Sequence, residues 1–164
     1  MSFDLPSLLI VLKWAFGCWL FATVLIMAVV DCREMILPDH FNVLLAVGGI
    51  GQAVLTGRPG LTDAVFGAMF GFLILSVIAA LFRRVRGIDG LGFGDQKFSA
   101  AAGLWIGWEA IAPMLLIASC SAIAFLIIRS AGGRKFNGAA RVPFGPFLGL
   151  GTVVCWLFAV VSVS

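Results

Sequence analysis

Apolar residues run along this chain in long blocks, with polar and charged positions gathered in short stretches between them. Six blocks stand out, at about 8–30, 41–55, 63–82, 96–108, 110–128 and 146–162. A helix needs about 20 apolar residues to cross a bilayer, and shorter ones fit within a packed bundle. The pattern predicts six membrane helices, of which the second and fourth are short. Small residues crowd the third and fourth blocks, in Gly67-Ala68, Gly71 and Ser99-Ala100-Ala101-Ala102-Gly103. Such residues let helices approach closely, which puts these two segments inside the bundle.

Composition supports the pattern. Of 164 residues, 62% are hydrophobic and only 12% charged, with a mean hydropathy of +1.12. Soluble domains carry about 45–50% apolar and about 25% charged residues. A soluble fold of this size could hardly hide so much apolar surface. The expected class is therefore all-α, a polytopic membrane protein built as a bundle of about six transmembrane helices. No long polar linker divides the chain, so residues 1–164 are expected to form one membrane domain. Met1 to Pro6 holds Asp4 but no Lys or Arg, unlike a secretory leader, and Asp31 before Cys32 does not suit a lipoprotein cleavage site. The first segment is expected to stay in place as a helix.

Charge placement sets an orientation. The connections after the first, third and fifth segments hold Arg33; Arg83, Arg84, Arg86 and Lys97; and Arg129, Arg134, Lys135 and Arg141. The other side has Arg58 and Lys13. By the positive-inside rule the nine-residue side is cytoplasmic and both termini are outside. The net charge of +3 does not call for nucleic acid, because the basic residues fall at membrane borders. Cys18, Cys32, Cys120 and Cys155 show no C-x-x-C spacing, and three lie in apolar runs where Cys acts as a small hydrophobe. Neither a metal site nor a disulfide framework is expected.

Two acids stand at the same border, Asp31 after the run from Trp14 to Val30 and Asp95 within Gly92-Phe93-Gly94-Asp95. Ionisable groups at helix–membrane boundaries are costly unless paired or working. Pro38 disfavours helix at Leu37, so the first helix can extend to about Ile36, with Asp31 more than one turn inside its end. A carboxylate near a helix C-terminus opposes the macrodipole, yet Asp31 could also be a solvated interfacial residue beside Arg33 and Glu34. Asp95 reads equally as a helix N-cap after a glycine-rich turn or as a working acid where glycines let a substrate come close. Asp4, Asp63, Asp89 and Glu109 suit exposed positions, and Asp39 could help bind a substrate. The lone His40 suits an interface. Without a Ser–His–Asp set, a Cys–His pair or H-E-x-x-H, serine, cysteine and zinc protease mechanisms lack their parts.

The motifs resemble those of the type IV prepilin leader peptidases, bacterial membrane aspartyl proteases with a Gly-x-Gly-Asp motif. Val30-Asp31-Cys32-Arg33-Glu34-Met35-Ile36-Leu37-Pro38-Asp39 is similar to the family's first-aspartate segment, and Gly60 to Met69 to the start of its next characteristic helix. Gly90-Leu91-Gly92-Phe93-Gly94-Asp95-Gln96-Lys97 supplies the second-aspartate motif, and Val142-Pro143-Phe144-Gly145-Pro146-Phe147-Leu148 resembles the closing element. Four segments in order, over about residues 24–150, carry the resemblance.

It implies Asp31 and Asp95 as the catalytic pair. Gly92, Gly94, Lys97, Pro38, Asp39, Pro143, Gly145 and Pro146 are implied as substrate-binding or site-shaping, with no metal and no cofactor. Longer relatives add a cytoplasmic region with paired C-x-x-C zinc motifs, associated with methylation of the new pilin N-terminus. The resemblance here implies a compact peptidase, with no support for methyltransferase activity or S-adenosylmethionine binding. Its substrate would be a prepilin or pseudopilin precursor with a basic leader, cut at the cytoplasmic face of the bacterial inner membrane. A small transporter using the two aspartates as proton or cation sites is the competing reading, although no clear internal repeat supports it. Natural substrate, pilus or secretion system and oligomeric state are not fixed by the sequence.

Overall fold

The computed structural model describes residues 5–131 and 143–162. Asp4, Arg134, Lys135, Arg141 and Val142 lie outside the described residues, so the expectations that involve them are not addressed. Six helices occur among the described residues: α1 (Leu5–Glu34), α2 (Asp39–Thr56), α3 (Leu61–Arg86), α4 (Phe93–Ile106), α5 (Ile111–Ala131) and α6 (Gly145–Val161). They form an all-α bundle. Three of them, α1, α3 and α5, are long and apolar enough to cross a membrane, and most of their apolar surface faces outward. That is the inverse of a soluble protein and suits lipid as the solvent.

The six predicted blocks correspond to the six helices, and their ends shift for local reasons. The first helix stops at Glu34 rather than Ile36, because Met35 takes a left-handed φ of 53° while its N–H donates to the Asp31 carbonyl at 2.9 Å. The third runs on to Arg86, its last-turn arginines favoured by the macrodipole, and ends where Gly87 turns left-handed at φ 70°. The fourth starts at Phe93 instead of 96, which moves Asp95 into its first turn.

The centre of the bundle is α4. It packs most extensively on α3 and also on α2 and α6, while α1 packs on α6 and α2, and α5 on α6. Phe98, Ala102, Trp105 and Ser99 are essentially inaccessible, joined by Leu20 and Met27 of α1, Leu45 of α2, Met114 of α5 and Leu148 of α6. With only 14 residues, α4 rises about 21 Å, short of a hydrocarbon core of about 30 Å. Its neighbours shield it.

Of the third and fourth segments, both expected inside the bundle, only α4 lies there; α3 buries one face, because its small residues meet those of α4 while the rest of its surface faces outward. A Cβ on Gly67 would run into the Gly103 carbonyl, one on Gly103 into the Gly67 backbone, and one on Gly71 into the Ser99 carbonyl. Here backbone meets backbone, so no side chain can move aside. Gly103→Ala is therefore expected to separate α3 from α4 and lower the melting temperature sharply in detergent. Gly87→Ala meets nothing within 4 Å and should cost only the left-handed conformation, about 1 kcal/mol. Tryptophan fluorescence on heating compares the two; equal melting temperatures would show that the crossing tolerates a methyl group.

Candidate active site

The N-terminal ends of α2, α4 and α6 meet the C-terminal ends of α1, α3 and α5 at one end of the bundle, and both aspartates lie there. Asp31 sits on the last turn of α1 and Asp95 on the first turn of α4. Both are buried, at 5% and 9% exposure. With Gly92, Gly94, Phe93, Met35, Ile36 and Leu37 they line a cavity of about 210 Å³. The sequence places these residues 64 positions apart, and the packing of α1 and α4 on their shared neighbours α2 and α6 brings them to one space.

Asp31 is held by a distant element. Its Oδ2 accepts the backbone N–H of Gly145 at 2.8 Å. Gly145 is the first residue of α6, where backbone N–H groups lack intrahelical acceptors and the dipole favours negative charge. Asp31 is poorly placed on its own helix and well placed on another. A Cβ at Gly145 would lie 2.7 Å from Oδ2, so the contact requires glycine. Pro146 follows at the N2 position, where its missing N–H costs nothing.

Asp95 is not the N-cap that the turn suggested. Gly92 holds that position without a side-chain cap bond, and Asp95 is the third helical residue. From there its carboxylate takes a backbone hydrogen bond from Gly92, which is the reach-back half of a capping box. Gly94 lets this turn sit against the chain reversal after α1, since a Cβ there would be 2.9 Å from Leu37 Cβ. Asp95 lies outside the three spanning helices. Burial first, and then the negative charge of Asp31, push its carboxyl up to about 6, with the Gly92 bond pulling the other way.

The remaining sequence candidates separate into two groups. Gly92 lies against Asp95 and Gly145 against Asp31, while Gly94 lines their cavity. Asp39 and Lys97 pair with each other instead, Lys97 Nζ donating to both carboxylate oxygens at 2.7 and 2.8 Å. They line a neighbouring groove, and Nζ also lies 4.7 Å from the Phe93 ring centroid. Pro38 precedes α2, and Pro143 lies before α6; neither lines the cavity. Sequence reasoning missed Leu37, the buried residue between Gly94 and Gly145. Its one available signal was an apolar side chain inside a polar border stretch. All four cysteines are free thiols, and among the described residues no group of three or more His, Cys, Asp or Glu side chains converges as a metal site would require.

Asp95 supplies a stability prediction with a definite sign. A carboxyl raised by folding destabilises as pH climbs from the ordinary carboxylate range through about 6, by about 3 kcal/mol in total. Asp95→Asn should therefore melt above wild type near pH 7, with the gap closing below about pH 4. A pH-independent difference between the two melting curves would contradict this.

Known proteins match this arrangement of residues. The model of the type IV leader peptidase family matches residues 18–127. A protein of Burkholderia pseudomallei (strain K96243) named prepilin leader peptidase/N-methyltransferase is 38% identical over 145 residues, covering 88% of this chain and 46% of that protein. Proteins of the same name from Aeromonas hydrophila and Escherichia coli (strain K12) are 38% and 36% identical, over 74% and 82% of this chain and 41% and 59% of their own lengths. The chain thus spans about half the length of the curated relatives it matches. No solved structure matches it.

Proposed function

The chain belongs to the type IV leader peptidase family, and on that premise we propose that it is a membrane aspartic endopeptidase acting on prepilin-like precursors. The observation that carries the proposal is the shared cavity: two buried carboxyl groups, from different helices, open to one small space at a helix border. The relatives above are named as peptidases, and the methyl transfer in their names is said of those proteins alone.

Two carboxyl groups that share one small cavity do not both ionise easily, so in this mechanism the pair holds one proton. The ionised acid takes a proton from water as its oxygen bonds to the scissile carbonyl carbon. The protonated acid donates to the carbonyl oxygen, giving a neutral tetrahedral intermediate. Collapse restores the C=O, breaks the C–N bond and delivers a proton to the leaving nitrogen. The pair regains its starting single proton. Neither a cofactor nor a covalent intermediate is required. Phe93 and Gly94 open α4, so their N–H groups face outward without intrahelical acceptors and can hold an unwound peptide beside Asp95.

The substrate follows from the position of the acids. A precursor with a basic leader and an apolar helix places its scissile bond at the membrane border. The Lys and Arg asymmetry supports placing this end of the bundle at the cytoplasmic face. Arg33, the arginines that end α3, and Arg129 all belong to helix ends on that side.

Co-expression with a prepilin tests the reading. Wild type is expected to cleave, while Asp31→Asn and Asp95→Asn accumulate in membranes and leave the precursor intact, a loss of at least about a thousandfold. Cleavage at the wild-type rate by either variant would rule out the two-aspartate mechanism. Gly145→Ala should also cleave poorly, about tenfold or more below wild type, because its methyl group displaces the Asp31 carboxylate.

A further inference from the structure

Next to the acid cavity lies a second space, a groove of about 360 Å³ between α2 and α3 with α4 as its floor. It exists because α2 and α3 both pack on α4 but touch each other little, and because Ala46, Ala68 and Ala100 leave the gap unfilled. Its mouth is the Asp39–Lys97 pair, and it descends from there into the apolar layer as far as Leu104. Phe93 joins the two spaces. It lines the acid cavity, carries Lys97 over its ring, and stands 6.2 Å from the ring of Phe72 in the groove wall.

Asn42 lines this groove and is 94% buried. Neither its Nδ2 nor its Oδ1 has a hydrogen-bond partner among the described residues. An orphaned amide in an apolar setting is unfavourable, and native proteins rarely keep one without a use. The Asn side chain offers a donor and an acceptor together, the complement of a peptide group whose own N–H and C=O are free. In a membrane helix those groups are satisfied internally except where the helix unwinds. An endopeptidase must unwind its substrate next to the bond it cuts.

We infer that the groove receives the apolar segment following the scissile bond of the precursor, and that its entry uncovers the Asn42 amide, whose atoms are closed off in this structure, to hydrogen-bond an unwound peptide group. This rests on the peptidase reading above. The lining selects the occupant: below the paired Asp39 and Lys97 at the mouth the walls are apolar apart from Asn42, which suits the membrane segment rather than a charged leader. Crossing the Phe93 ring sets the scissile bond over the acid cavity.

The test uses the full chain in nanodiscs, with a precursor peptide that spans the leader and apolar segment. Asn42→Leu keeps the side-chain size and removes the orphaned amide. It should melt at or above the wild-type temperature while KM rises about tenfold and kcat barely changes. A structural role for Asn42 would instead lower the melting temperature. Ala46→Phe, which fills the groove, should also raise KM. A photo-crosslinker at Val43 in an Asp31→Asn chain should capture the apolar segment, and one at Val54, at the other end of α2, should not. Wild-type KM in Asn42→Leu, or capture of the leader at Val43, overturns the groove assignment. In that case cleavage by wild type and its loss in both aspartate variants leave the peptidase reading standing. No cleavage by wild type overturns both.

Discussion

A single hydrogen bond, from Gly145 N–H to Asp31 Oδ2 across 114 residues, ties the last helix to the first and fixes the first acid. Without it, the start of α6 would bury an N–H without an acceptor, and Asp31 would face only the negative end of its own helix. With it, each group meets the other's need. The glycine requirement at 145, the burial of Leu37 against it and the placement of Gly94 against Leu37 all follow from how closely these ends must meet. The acid cavity is what remains between them.

The two ends of the bundle treat polar groups in opposite ways. At the far end, Gln52 donates to the carbonyls of Arg58 and Trp105 and accepts from Trp156 Nε1, while Trp105 Nε1 donates to the Leu45 carbonyl. Every member of that network has a partner, so it locks α2, α4 and α6 together. At the acid end, Asp95 is buried near another carboxyl group and Asn42 has no partner. Satisfied polar groups give rigidity, and unsatisfied ones give something for a ligand to complete. The molecule is stabilised at one end and left wanting at the other.

How much of this the sequence reveals depends on the range of the interaction. The six helices are legible because an apolar block long enough for a membrane has few other solutions, and small residues stand out in such blocks, though not that Gly67 meets Gly103. Asp31 and Asp95 are legible because charge is scarce there. The register between helices is not. Asp95 reads equally as an N-cap from the glycines before it, and only the structure shows the helix starting three residues earlier, with Gly94 packed on Leu37. Asn42 gives no signal at all, since a polar residue one turn into an apolar helix at the border looks solvated until α3 and α4 close around it. The partnership of Asp39 with Lys97 is invisible for the same reason.

These differences bear on how such a bundle stays stable while keeping a costly site. A buried carboxyl pair and an orphaned amide would each be selected against in a protein whose only task was to fold. Here they lie where helices begin or end, on α1, α2 and α4, and not in the Gly-to-Gly crossing that supports the bundle. At the border Gly94 and Gly145 meet mainly side chains, whereas the α3–α4 crossing sets backbone against backbone. The rigid contact and the strained chemistry share α4 but lie at different heights along it: Ser99 and Gly103 against α3, Asp95 at the border. That separation lets a short helix of 14 residues act both as the core of the bundle and as one wall of its reactive cavity.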